Sequence, residues 1–187
     1  ERHITRQDVT DISDFLRLYS DVEFNIAGYP SEEFMALVSQ ASPAQCTLVP
    51  DDPGQLTSDH GWDVAGNEEL LKDRVKRLRD LGVRSSLFFD PVPERVAEVQ
   101  SVGADRIELY TEDYASHFGL ESEHPIFAQY ADTVAAATSL GIGVNAGHDL
   151  DLDNLRRFLD IPDILEVSIG HALIVECLLQ GLEPVIG

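Results

Sequence analysis

Three times in this chain a glycine follows an amphipathic stretch and precedes an apolar run: Leu81-Gly82-Val83, Val102-Gly103-Ala104 and Leu140-Gly141-Ile142. Glycine closes a helix in the left-handed conformation before the chain turns into a strand. A repeated helix–glycine–strand order constrains the whole fold, because parallel strands need a crossover of a dozen or more residues, usually a helix. The candidate strands are residues 22–26, 45–49, 83–89, 106–110, 142–145 and 165–169. They are rich in β-branched and aromatic residues with little polar alternation, the pattern of strands buried on both faces.

The intervening stretches carry helix signals. Thr5-Arg6-Gln7-Asp8 reads as a capping box opening a helix to about Tyr19. Ser31 is placed to cap a helix whose first turn holds Glu32 and Glu33, the sign that the helix dipole favours. In residues 68–81, Glu68 with Lys72 and Asp73 with Arg77 form i,i+4 pairs, and Leu71, Val75 and Leu78 form the apolar stripe. No linker or change of composition interrupts the chain, so a single domain is expected over residues 1–187. Six strand–helix units in 187 residues take about 31 residues each. An eight-unit α/β barrel takes ~250 residues, so the expected fold is a (β/α)8 barrel whose first two strands are absent from this sequence. An open doubly wound sheet is the alternative; it is weakened because no G-x-G-x-x-G follows the first strand.

Charge limits the partners. Asp plus Glu number 34 against 13 Lys plus Arg, for a formal net charge of -21. Such a field repels nucleic acid and anionic membranes, so neither is expected as a partner. A high-salt source would account for the acidity, as would a plainly acidic soluble protein. The apolar runs are far shorter than the ~20 residues of a membrane span, and no charged leader with an apolar segment opens the sequence, so a cytoplasmic location is expected. Cys46 and Cys177 stand far apart and form no C-x-x-C, as expected of reduced structural thiols.

In either parallel architecture, ligands sit at the carboxyl ends of the strands. Asn145-Ala146-Gly147-His148-Asp149 lies at one such end, Gly170-His171 at another and Thr111-Glu112 at a third, with Glu108 inside the strand before it. Gly170-His171 opens a helix, where free amides and the dipole favour an anion such as phosphate; a simple tight turn has the same signature. His148 can exchange a proton near neutral pH, or be a loop histidine satisfied by backbone. Glu108 points opposite to Ile107 and Leu109 and fits either acid/base work or a structural hydrogen bond. Asp149, Asp151 and Asp153 alternate like a calcium loop, but Asn154 and Asp160 stand where that loop needs Gly and Glu. Helix capping by Asp151 accounts for them better. Residues 50–63 form a loop long enough to be a lid, with Trp62 as its anchor.

Taken together, Asn145-Ala146-Gly147-His148, Ile169-Gly170-His171-Ala172, Leu48-Val49-Pro50, Gly61-Trp62-Asp63-Val64 and Arg2-His3-Ile4 resemble the pyridoxine 5′-phosphate synthase family of vitamin B6 biosynthesis, over nearly all of the chain. The resemblance implies a closed α/β barrel assembled as an octamer. It implies condensation of 3-amino-2-oxopropyl phosphate with 1-deoxy-D-xylulose 5-phosphate, releasing phosphate and water, with no metal or organic cofactor. By the same resemblance, His148 is the proton donor, and Asp149 with Gly170 and His171 receives the amino-ketone phosphate. Thr57 and His3 contact the deoxyxylulose phosphate, Glu108 lines the pocket, and residues 50–63 are the lid.

Two departures bear on activity. The family reads Asn-[Leu/Ile]-Glu at its third strand, with that Glu as proton acceptor; here the motif is Asn25-Ile26-Ala27. Either Ala27 leaves the role unfilled or nearby Glu23 fills it. The family's first two strands also carry an Asn-x-Asp-His and a His-x-Arg segment upstream of the region matching Glu1, and this sequence contains neither. Two other readings stand beside the synthase: an isomerase or lyase barrel for another phosphorylated sugar, and a non-catalytic barrel subunit.

Overall fold

The computed structural model of the chain describes residues 4–51, 55 and 58–186. Helices and strands alternate: α1 (Arg6–Leu16), β1 (Asn25–Gly28), α2 (Glu32–Ala41), β2 (Gln45–Leu48), α3 (Glu68–Asp80), β3 (Arg84–Phe89), α4 (Val96–Val102), β4 (Arg106–Tyr110), α5 (Glu112–His117), α6 (Glu123–Ser139), β5 (Gly143–Gly147), α7 (Leu155–Phe158), β6 (Ile164–Ser168), α8 (His171–Gln180) and α9 (Leu182–Ile186). Hydrogen-bonded neighbours follow chain order from β1 to β6. The α/β class and the six strands expected from the sequence hold. The described residues form two compact units, one of residues 1–89 and 98–107, the other of 90–97 and 108–187.

In the first unit, β1, β2 and β3 pair in parallel, with Ala27 opposite Thr47 and Thr47 opposite Ser86. Ile26 packs with Val9 of α1, Ala41 of α2 and the partly buried Phe24, Phe34 and Leu37. Because successive strand residues point to opposite faces, Ala27 lies on the face away from that cluster. The expected cap of α1 is present: the Thr5 hydroxyl accepts from the Asp8 amide at 3.2 Å, and the Asp8 carboxylate accepts from the Thr5 amide at 2.8 Å. Ser31 caps α2 by accepting from the Phe34 amide at 3.1 Å. α3 buries Leu71, Val75 and Leu78 almost completely, each contributing about 1.5–3 kcal/mol of hydrophobic stabilisation. The α3–β3 turn uses Gly82 at φ +73°, a conformation that costs other residues about 1 kcal/mol or more.

In the second unit, β5 and β6 pair in parallel, with a register shift between Val144 and Asn145. A cluster of rings joins α5, α6 and α7: Tyr114 lies 5.0 Å from Phe158 and 6.2 Å from Tyr130, ring centre to ring centre. Gly141 turns α6 into β5 at φ +75°.

Candidate active site

The second unit holds most of the residues that the sequence singles out. β4 ends in Tyr110, and Thr111 follows as the residue that opens α5. β5 ends in Gly147, followed by His148 and Asp149. Both of these have positive φ, +84° and +57°, a conformation worth about 1–3 kcal/mol of strain for a residue with a side chain. The turn is held from three sides. Thr111, fully buried, donates its hydroxyl to the Gly147 carbonyl at 2.8 Å and also meets the His148 carbonyl. The Asn154 side chain donates to the Asp149 carbonyl at 3.1 Å and accepts from the Asp151 amide at 3.0 Å. Tyr114 donates to the Asn154 carbonyl at 2.8 Å; burial pushes this phenol up to about 12, so it remains a donor at neutral pH.

On this turn the His148 Nδ1 lies 2.7 Å from the Asp149 carboxylate, and the imidazole meets the Tyr110 ring edge-on at 5.1 Å between centroids. A carboxylate on Nδ1 fixes the tautomer and the orientation of the ring. Glu108 of β4 is buried, and a methyl group on Gly147 would approach its Oε1 to 2.6 Å. Gly147 is therefore what lets the Glu108 carboxylate lie against the end of β5. Asp151 accepts from the Asp153 and Asn154 amides at 2.9 Å each, holding the turn before α7, whose N-cap is Asn154 rather than Asp151. Among the described residues no cluster of His, Cys, Asp or Glu could hold a metal ion.

Gly170 and His171 follow β6 and open α8, both exposed. No side chain caps this helix start, and the first-turn amides of any helix lack acceptors within it. A methyl group on Gly170 would meet nothing within 4 Å. The turn thus offers amides and the positive end of a dipole to an anion.

The remaining predicted residues belong to the first unit. Ala27 is exposed at the centre of β1, in a row with Thr47 and Ser86. Thr47 Oγ1 lies 3.3 Å from the Asn25 amide nitrogen, and the buried Ser86 hydroxyl has no hydrogen-bond partner among the described residues. Glu23 lies before the amino end of β1, where the Arg84 guanidinium hydrogen-bonds its carboxylate and holds it below the usual carboxylate range. It is thus tied to Arg84 at the opposite end of the strand from ligand-binding loops. Trp62 anchors its loop as expected: it is buried and donates its indole N–H to the Leu48 carbonyl at 2.8 Å. His3 and Thr57 lie outside the described residues.

The profile of the family described as pyridoxal phosphate biosynthesis protein PdxJ matches residues 1–187. This chain belongs to that PdxJ family. Pyridoxine 5′-phosphate synthase of Bacteroides thetaiotaomicron is 49% identical over 187 residues, covering all of this chain and 77% of the relative. The enzyme of the same name from Albidiferax ferrireducens is 46% identical, covering 97% of this chain and 74% of the relative. In fold alone, the chain is similar to the tryptophan synthase A-subunit of Pyrococcus furiosus, with 14% identity and a TM-score of 0.63 over 98% of this chain and 71% of that one. Membership of the PdxJ family makes the chain a vitamin B6 biosynthesis protein. Among the described residues no helix is long and apolar enough to cross a membrane.

In the PdxJ chain the His148–Asp149 turn also rests on two residues to which no sequence motif assigns such a part. Thr111 was legible only as a polar residue after a strand, and Asn154 only as a mismatch to a calcium loop. Their common signal is a short polar residue that is almost fully buried, which requires folded coordinates to see.

Proposed function

We propose that this chain is a pyridoxine 5′-phosphate synthase, joining 3-amino-2-oxopropyl phosphate to 1-deoxy-D-xylulose 5-phosphate and releasing phosphate and water. The observation that carries the reading is the PdxJ match along the whole chain, with its Asn-Ala-Gly-His and Ile-Gly-His-Ala motifs at the ends of β5 and β6. Joining an amine to a ketone, expelling phosphate and closing a ring takes several proton transfers, and a positioned side chain contributes ~10²–10⁴-fold to each. His148, oriented by Asp149, delivers a proton through Nε2. Gly170 and His171 hold the amino-ketone phosphate through backbone amides, with Asp149 part of the same subsite. Glu108 lines the pocket, and His3 and Thr57 contact the second phosphate. Such local donors overcome the repulsion that a chain of net charge -21 exerts on anionic substrates. The reaction needs no metal or organic cofactor, the working unit is an octamer, and the protein acts in the cytoplasm.

Ala27 favours a second reading, a chain that binds both phosphates and turns them over slowly, because a methyl group moves no proton. The two substrates, mixed with the protein and assayed for pyridoxine 5′-phosphate, test the proposal. Product forms, and His148→Asn lowers turnover at least ~10-fold with little loss of binding. Turnover of a single sugar phosphate without condensation would replace the proposal with the isomerase or lyase reading.

A further inference from the structure

We propose that Thr111 is a positioning residue for His148, acting through the backbone on which the imidazole is mounted. The inference rests on the assignment of His148 to proton transfer. Thr111 has no surface exposure, yet its side chain is polar. Its hydroxyl has a single proton, and it faces two successive carbonyls, those of Gly147 at 2.8 Å and of His148. Its own amide donates to the same Gly147 carbonyl at 3.1 Å. One residue of the β4–α5 junction therefore grips both peptide groups that flank the His148 Cα.

The grip falls where it matters. His148 is held at φ +84° and the next residue at +57°, and such backbone persists only when its surroundings over-determine it. Relaxation of His148 toward ordinary φ would swing its Cβ, and with it the imidazole, away from the Tyr110 ring edge and the Glu108 side of the turn. Tyr110 immediately precedes Thr111, so the ring that packs on the imidazole and the hydroxyl that fixes its backbone come from one short segment. Asp149 sets the tautomer of the ring; Thr111 sets where the ring is. A displacement of about 1 Å at a catalytic group can cost ~10²-fold in rate, which is the scale on which a buried hydroxyl without contact to substrate can act.

The test compares Thr111→Val, which keeps the shape and removes the hydroxyl, with Thr111→Ser, which keeps the hydroxyl. Two readouts are taken on the full chain: kcat and KM for pyridoxine 5′-phosphate formation, and the ring-carbon resonances of His148 by NMR, assigned by their loss in His148→Asn. Thr111→Val lowers kcat about tenfold or more with KM within about threefold and shifts the His148 ring resonances, while Thr111→Ser returns both toward the parent chain. If Thr111→Val fails to fold, Thr111→Ala, which leaves space rather than a methyl group, is read in the same way. Unchanged kcat and unchanged His148 resonances in the valine or alanine variant would overturn the proposal. If His148→Asn itself leaves turnover intact, the role given to His148 fails, and the ring resonances still decide whether Thr111 positions it.

Discussion

A methyl group on Gly147 would stand 2.6 Å from Glu108 Oε1 and 2.9 Å from the Ser168 Cβ. The first contact could be relieved by moving a carboxylate; the second meets the side-chain root of a paired strand and yields less easily. Overpacking of this kind costs about 1–3 kcal/mol. Gly147→Ala is therefore expected to lower the unfolding free energy by that amount, read from denaturant titration, and to displace Glu108, with turnover falling alongside. A variant as stable and as active as the parent chain would show that the two strands can part without consequence. The glycine was readable in the sequence as part of a motif, but the reason for it was not, because the atoms it accommodates come from β4 and β6, many residues away.

Elements were legible where their signals are local. The turn glycines fall at positive φ as expected, and Thr5 and Ser31 cap the helices assigned to them. Boundaries moved where tertiary contacts decide them. The run at 22–26 reads as a strand, yet β1 begins at Asn25, because pairing starts with Asn25 opposite Gln45; Val22 and Glu23 remain outside and exposed. α1 stops at Leu16 rather than about Tyr19, with Leu18 and Tyr19 exposed and no core to extend against. β5 runs on to Gly147 because β6 pairs with it as far as Ser168. The α1 cap also gives a pH-dependent expectation. The Thr5 hydroxyl and amide hold the Asp8 carboxyl below its ordinary value, so its contribution is present above the usual carboxylate range and is lost as pH falls through the lowered folded value. Thr5→Ala should lower stability at neutral pH by an amount that fades on acidification. A penalty of constant size in denaturant titrations from neutral to strongly acidic pH would contradict the linkage.

For the molecule as a whole, the excess of acidic groups dominates. Exposed ion pairs such as Lys72–Glu68 at 2.7 Å and Lys76–Asp80 at 2.6 Å contribute little each and weaken with salt. Against them stands the self-repulsion of a net charge of -21, which salt relieves as the screening length falls from about 30 Å at 0.01 M to 10 Å at 0.1 M. The second effect outweighs the first. Tm at neutral pH is expected to rise by a few degrees, the equivalent of about 1 kcal/mol, between low salt and half-molar sodium chloride; a fall would mean that attractive pairs prevail. At this scale the α/β class and the family were both readable from the sequence, since repeated turns and paired motifs survive without coordinates. The strained turn at His148 and the buried grip of Thr111 were not, because φ and burial are consequences of packing.

The proposed function gives His148 the proton donor's role and Gly170 with His171 the phosphate, while Ala27 stands where the resemblance places a carboxylate. Ala27 is exposed, in a row with Thr47 and with the Ser86 hydroxyl that has no hydrogen-bond partner among the described residues, so a carboxylate there has space. The direct test is the rate of pyridoxine 5′-phosphate formation from both substrates by the parent chain and by Ala27→Glu. The account predicts at least ~10-fold faster formation by the variant, the scale of one restored acid/base group; no product from either protein would contradict it.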